Sequence, residues 1–315
     1  MPRISQNDVR RCRTQEGIEK MRAGVIGLGD MGSGLAKNLI KNGFETVGFD
    51  LSERRMEAFA EMGGTPASST GEVGRQADAV FVMVMNGDQA KEVILGKDGL
   101  VQSMEPGSAV ILTATITAQE VRDIARDMEG SEIDLIDSPV SGGFPGAQGG
   151  TLTLMAAAPA EVLGRSLPVL EAVSGSIHHV GDEPGMGQTV KACLQALQGA
   201  IFAATFEAAA LAAKAGISGQ VIHNVVGSSG ASCGVVNTAL ENIIDRKFVG
   251  TGSHIATMHK DLTIALGMAR DLGVPLFMAG NAMQLFQAGK TKHPEGDNWV
   301  VTRVVEDIIG AELVR

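Results

Sequence analysis

The chain has 315 residues, enough for about two domains of ordinary size. Its 26 Lys and Arg are outnumbered by 36 Asp and Glu, a net charge of −10. That balance argues against nucleic acid or an anionic membrane as partner, because both require a positive face.

Hydrophobic residues make up 44% of the chain, so it has the means to build a core. Cys12, Cys193 and Cys233 lie far apart with no C-x-x-C pair. Neither a disulfide framework nor a zinc ribbon is expected, and a reducing, cytoplasmic setting fits. Residues 1–20 are polar, lack the apolar run of a secretory leader, and read as an N-terminal extension.

From Met21 the pattern alternates. Ala23–Ile26 is a short apolar run, a glycine loop follows, and Ser33–Asn42 has helical spacing. Thr46–Phe49 is a second strand-like run, ending in Asp50, and a charged helix is predicted over Ser52–Met62. Ala79–Met85 is continuously apolar, as expected of a strand buried on both faces. Ala109–Leu112 and Ile133–Ile136 continue the series around a helix over Thr117–Met128. Thr151–Ala156 and Ile177–Val180 flank a helix over Ala160–Val173. Such alternation with short connections predicts a doubly wound α/β layer.

Beyond about Gly181 the strand-like runs stop. Gly187–Ala215 is Ala-rich, and helical patterns follow at Gly219–Val226, Gly234–Asp245, Ile255–Leu272, Pro275–Ala288 and Asn298–Leu313. Within the first of these, Ala192–Ala213 is apolar enough to suggest a membrane span. Gln195, Gln198 and Glu207 interrupt it, so a core helix is expected and no membrane. The predicted organisation is an extension over 1–20, a nucleotide-binding α/β domain over 21–183, and an all-α domain over 184–315.

Gly27-Leu28-Gly29-Asp30-Met31-Gly32 is a G-x-G-x-x-G string placed right after the first strand and opening the first helix. The three glycines suit a tight turn, a close approach of backbone amides to a pyrophosphate, and helix-on-strand packing. The helix N-terminus would face the phosphates with its unpaired N–H groups. Asp50 ends the second strand 18 residues after Gly32. A carboxylate there can accept from both adenosine ribose hydroxyls and would repel a 2′-phosphate, which predicts NAD over NADP. Arg54 and Arg55 lie close by and could accept such a phosphate, but are read as ordinary exposed helix residues.

At the fifth predicted strand's end lies Asp137-Ser138-Pro139-Val140-Ser141-Gly142-Gly143. A Ser-Gly-Gly turn offers consecutive N–H groups and a hydroxyl to a carboxylate. In the long helix Gln188, Lys191, Gln195 and Gln198 follow at spacings of 3, 4 and 3, a polar stripe on one face. It reads as the wall of a polar cleft, with Lys191 flanked by amides rather than carboxylates. Lys260-Asp261 is a weaker signal, since such a pair is usually solvated. The six histidines lack a carboxylate cluster, so no metal is expected.

These pieces, in this order from Met21 onward, resemble the β-hydroxyacid dehydrogenases, a family built on a Rossmann domain followed by an all-α domain. The resemblance rests on the glycine loop, Thr115 after the fourth predicted strand, the D-x-P-V-S-G-G turn, Gly185-Met186-Gly187-Gln188-Thr189-Val190-Lys191, and the Lys260-Asp261-Leu262 segment. It implies Lys191 as catalytic lysine, Ser141, Gly142 and Gly143 on the substrate carboxylate, and Val84, Met85, Thr115 and Lys260 on the cofactor. It also implies a homodimer or homotetramer. Many members carry Asn three and four residues after the lysine, where this chain has Leu194 and Gln195. The longer amide resembles the branch acting on polyhydroxy acids such as L-threonate. The expected activity is therefore hydride transfer between a small hydroxy acid and NAD, with Gln195 binding substrate. The alternatives are an NADPH-dependent semialdehyde reductase and a non-catalytic dinucleotide-binding protein.

Overall fold

The computed structural model describes residues 21–315, so the predicted extension at 1–20 lies outside the described residues. Strand β1 (Ala23–Ile26) is central, with β2 (Thr46–Phe49) and β3 (Thr65–Pro66) on one side. On the other side β4 (Ala79–Val82), β5 (Ala109–Leu112) and β6 (Asp134–Asp137) follow, and all six strands are parallel. Strand β8 (Leu152–Ala157) runs antiparallel to β6 and to the short β7 (Val140–Ser141), and β9 (Ser174–Gly181) closes the edge parallel to β8.

The alternation of side chains on each strand divides the core into two layers. Val25, Phe81 and Ile111 point to one face, where Leu35 and Leu39 of helix α1 (Asp30–Lys41) join Val169 and Leu170 of α8 (Ala160–Val173). Ile26, Val80, Val82, Val110 and Leu112 point to the other. There they meet α3 (Thr70–Gln76), α4 (Gly87–Leu95), α5 (Leu100–Ser103) and α6 (Ala118–Asp127) through Val73, Ile94, Leu100 and Val121. Both faces of β1, β4 and β5 are therefore buried, which is why their sequences are unbroken apolar runs. Helix α2 (Glu53–Glu61) contributes Phe59 alone to the buried set.

Several boundaries differ from expectation, and two of them bear on the site. Helix α1 begins at Asp30 rather than Ser33, and β4 ends at Val82, leaving Val84 and Met85 in a loop. The Ser-Gly-Gly segment is not a simple turn: Ser141 belongs to β7, Gly142 caps α7 (Gly143–Gly149), and Gly143 opens it.

After β9 all regular structure is helical. Helix α9 (Met186–Lys214) is long and apolar enough to cross a bilayer by length and composition. Here it runs through the second core, with Phe202, Phe206 and Ala209 buried among α11 (Gly234–Ile244), α12 (Ile255–Asp271), α13 (Phe277–Lys292) and α14 (Val301–Ile309). Phe202 stacks on Phe206 with centroids 5.9 Å apart and meets Trp299 edge-on at the same distance. Helix α10 (Gly219–Gly227) packs on α11.

Candidate active site

The strand order reverses between β2 and β4 on either side of β1, and in open α/β sheets ligands bind at such a point, outside the carboxyl ends of the strands. The glycine loop leaves β1 there. Its three glycines answer to different constraints. A Cβ on Gly27 (φ +88°) would lie 2.2 Å from the Met83 carbonyl oxygen, and one on Gly32 would lie 1.7 Å from that of Gly27. Those two are required by the protein itself. Gly29 is not, since a Cβ there meets nothing nearer than the Arg55 guanidinium at 3.7 Å. Its open face, at a helix N-terminus without a side-chain cap, fits an incoming phosphate.

Asp50 carries out work the sequence did not suggest. Its carboxylate accepts from the backbone N–H of Leu28 at 2.8 Å and of Ser52 at 2.9 Å, tying β2 to the glycine loop. Arg55 is exposed on its helix, as expected, but pairs with Asp50 at 3.3 Å. A surface cavity of about 480 Å³ opens beside Asp50, lined also by Phe49, Leu51, Met56 and Ala67.

Met85 is exposed and Val84 half-buried on the loop after β4. On the neighbouring loop, the Thr115 carbonyl accepts from the Lys260 ammonium of α12, so these two predicted cofactor residues do meet, across the domains. Asp261, next in the chain, corrects the expectation of a solvated pair. It is 3% exposed, and the Lys260 ammonium lies 3.1 Å from its Oδ1.

A second group of predicted site residues is assembled on α9. Lys191 is 6% exposed and donates to the Val140 carbonyl at 2.8 Å, immediately before Ser141. One turn on, Gln195 is equally buried and its Nε2 donates to Asp261 Oδ2 at 2.5 Å. A carboxylate only accepts, so the amide nitrogen must face it. Gln195 Oε1 is then left buried without a hydrogen-bond partner among the described residues. Burial pushes the Lys191 ammonium below the ordinary lysine range; the Asp261 carboxylate raises it, and the Lys260 charge lowers it further. The expectation that only amides flank Lys191 is thus corrected: Asp261, from another helix, acts on it.

Gln188 is likewise not part of a cleft wall. Its Nε2 donates to Asp137 Oδ1 at 2.9 Å and to the Ala114 carbonyl at 3.0 Å, and its Oε1 accepts from Ile116 N–H at 3.2 Å. Asp137 Oδ2 accepts from the N–H groups of Gly185 and Gln188, capping the start of α9 from the sheet. Burial raises the Asp137 carboxyl to about 6 despite those donors. Gln198, the last member of the stripe, is half-buried.

Asp137, Asp261 and His254 were not marked for roles by sequence reasoning. A signal existed for Asp261. It lies three residues after Met258 and four before Ala265, both buried, so an acid falls on the apolar stripe of α12.

A doubly wound sheet with an uncapped helix N-terminus and an open glycine at its switch point, followed by a helical domain bearing a buried lysine, is the architecture of a dinucleotide-dependent oxidoreductase. Residues 22–181 match the NAD binding domain of 6-phosphogluconate dehydrogenase. Residues 185–305 match the NAD-binding domain of NADP-dependent 3-hydroxyisobutyrate dehydrogenase. The chain is 33% identical to the L-threonate dehydrogenase of Escherichia coli strain K12, over 92% of this chain and 96% of that one. It is 32% identical to the 3-hydroxyisobutyrate dehydrogenase of Pseudomonas aeruginosa, over 83% and 89% of the two chains. A crystal structure of 3-hydroxyisobutyrate dehydrogenase from Salmonella typhimurium superimposes with a TM-score of 0.83 at 31% identity, covering 90% of this chain and 99% of that one. The chain belongs to the 3-hydroxyisobutyrate dehydrogenase-like family of hydroxyacid dehydrogenases, oxidoreductases that act on CH–OH donors.

Proposed function

We propose that the protein oxidises a small polyhydroxy acid of the L-threonate type with NAD, reversibly, using Lys191 as general base. The observation that carries this reading is the locked amide of Gln195. Its nitrogen is committed to Asp261, and its unpartnered Oε1 can serve only a donor. The reacting hydroxyl is the partner of Lys191 and the carboxylate the partner of the Ser141-Gly142-Gly143 turn. Gln195 then calls for a second hydroxyl, which a methyl-bearing acid such as 3-hydroxyisobutyrate lacks.

The chain's own contribution is orientation and proton transfer. Ser141 and the N–H groups opening α7 hold the carboxylate, which fixes the carbinol carbon. A nicotinamide held at this end would supply the acceptor for the hydride and its electron pair. Lys191, favoured neutral by burial, takes the hydroxyl proton as the carbonyl forms. In the reductive direction the same group returns it. Lys260, tied to Thr115, and the loop of Val84 and Met85 line the nicotinamide end. Gly27, Leu28, Gly29, Asp30, Met31 and Gly32 form the phosphate end.

NADP as the cofactor is the second reading, and the placement of Arg55 beside Gly29 favours it. Asp50 favours NAD, because its carboxylate is held by two backbone donors and cannot turn away from a 2′-phosphate. Initial rates with NAD and with NADP over L- and D-threonate, glycerate, 3-hydroxyisobutyrate, 3-hydroxypropionate and 4-hydroxybutyrate test both choices. The expected result is highest kcat/KM for a threonate with NAD. A preference for 3-hydroxyisobutyrate overturns the assignment of Gln195, and a preference for NADP overturns that of Asp50. The exposed Leu197, Leu211, Val221, Val225, Phe277 and Met278 of the helical domain support a homodimer or homotetramer, which light scattering on the eluted peak measures.

A further inference from the structure

The helical domain reaches the glycine loop at a point the proposed reaction does not use. His254, just before α12, places its Nε2 3.0 Å from Asp30 Oδ2. Asp30 is the first residue of α1, the helix whose N-terminus offers its N–H groups to a pyrophosphate. An acid at that position stabilises the helix by itself, but it repels a dianion approaching the same amides. The two demands conflict, and a protonated imidazole from the other domain would remove the conflict.

The other side of the ring is also built. His254 Nδ1 lies 3.6 Å from Asp297 Oδ1. Asp297 is fully buried, and its Oδ2 accepts from Thr251 N–H at 2.7 Å and Thr251 Oγ1 at 2.8 Å. Its Oδ1 has no hydrogen-bond partner among the described residues, leaving it to face the ring. The segment that carries His254 also touches the substrate end. A Cβ on Gly252 would lie 2.6 Å from Phe144 Cβ, so its backbone rests on the residue that follows Gly143. Side chains of His254 and Asp30 are 50% and 56% exposed, and an exposed pair contributes at most about 1 kcal/mol to stability. Stability does not account for this arrangement.

We propose that His254 is a cofactor-positioning residue, whose imidazole when protonated neutralises Asp30 at the mouth of α1 and so admits the pyrophosphate of the dinucleotide. The inference rests on the dinucleotide site of the proposed function, and not on the identity of the hydroxy acid. It is tested by titrating NAD into the full-length protein by calorimetry, without substrate. The emission of Trp299, the chain's single tryptophan, is recorded in parallel, because its Nε1 donates to Thr251 Oγ1 in the same segment.

His254→Ala is expected to raise the Kd for NAD roughly three- to tenfold, the weight of one charge at a helix N-terminus near the surface. His254→Asn should do the same. Asp30→Asn should bind NAD within about twofold of wild type, and Asp30→Asn combined with His254→Ala should return to that level. A double variant as weak as His254→Ala overturns the proposal, since the histidine would then not act through Asp30, and so does an unchanged Kd in His254→Ala. Wild-type protein that binds NAD yet turns over no hydroxy acid refutes the substrate reading and leaves this one standing.

Discussion

Replacing Lys191 tests the reaction chemistry most directly. The ammonium form of this side chain is disfavoured where it lies: it is almost wholly buried and donates to a neutral carbonyl, Val140 O at 2.8 Å. The Asp261 carboxylate restores part of the loss, and the Lys260 charge adds to it. The acidic limb of kcat/KM should therefore fall below the pH of an ordinary lysine, about 10.4. Lys191→Ala removes the proposed proton acceptor while leaving the glycine loop untouched. Turnover should drop by roughly 10²–10⁴, the usual weight of general acid–base catalysis, or about 3–5 kcal/mol in the barrier. The Kd for NAD should stay within a few-fold of wild type. Lys191→Arg should be nearly as damaging, because guanidinium keeps its proton throughout the accessible pH range. The assay is kcat for both variants on the best substrate, beside a calorimetric NAD titration. An arginine variant that keeps most of its turnover would refute the reasoning, since a positive charge alone would then suffice.

Three further outcomes follow from the same geometry. Asp261→Asn removes the group that raises the Lys191 ammonium, so the acidic limb of the kcat/KM profile should move to lower pH; a limb that moves up or stays put contradicts the coupling. Asp137 has its carboxyl raised from 3.8 to about 6, so its contribution to stability is complete below pH 4 and lost as pH rises through 6, about 3 kcal/mol over that window. Urea midpoints between pH 4 and 6.5 should show that this component is missing in Asp137→Asn. Gly29→Ala should leave the melting temperature unchanged and weaken NAD binding at least about tenfold. Gly32→Ala, whose methyl would lie 1.7 Å from a carbonyl oxygen, should lower the melting temperature itself.

The elements that the sequence announces are those whose side chains alone dictate them. The unbroken apolar runs at Ala23–Ile26, Thr46–Phe49 and Ala109–Leu112 are the strands β1, β2 and β5, and the helix expected over Ala160–Val173 is α8 to the residue. Helices α3 and α7 escaped notice because their own composition argues against them. The first reads TGEVGRQ, and the second reads GFPGAQG. Tertiary packing overrides that propensity: a Cβ on Gly34 of α1 would lie 2.6 Å from the Ala147 backbone, so the contact between α1 and α7 needs small residues on both helices. Lys191, Ser141, Thr115 and Lys260 were legible as local motifs. The partners that give them direction were not, because Asp261 and Lys191 are 70 residues apart in the chain and meet only when α12 lies on α9.

The long helix explains why the site can be built at all from two domains. Gln188 holds three groups, one at the end of β6 and two on the loop after β5: the Asp137 carboxylate, the Ala114 carbonyl and the Ile116 N–H. Gly187, beside it, lets the helix approach so closely that a Cβ would lie 2.6 Å from the carbonyl oxygens of both Asp137 and Met155. An apolar side chain in place of Gln188 could fill the same volume, but it would leave a buried carboxylate and a buried N–H short of partners, at about 1–3 kcal/mol each. The amide therefore fixes one axial register for α9 against the sheet. Lys191, three residues further on, lands on the carbonyl of Val140 because of that register, and Gln195 lands on Asp261. The spacing that looked like a polar cleft wall is a docking contact at Gln188, followed three and seven residues later by the Lys191 and Gln195 contacts that it positions.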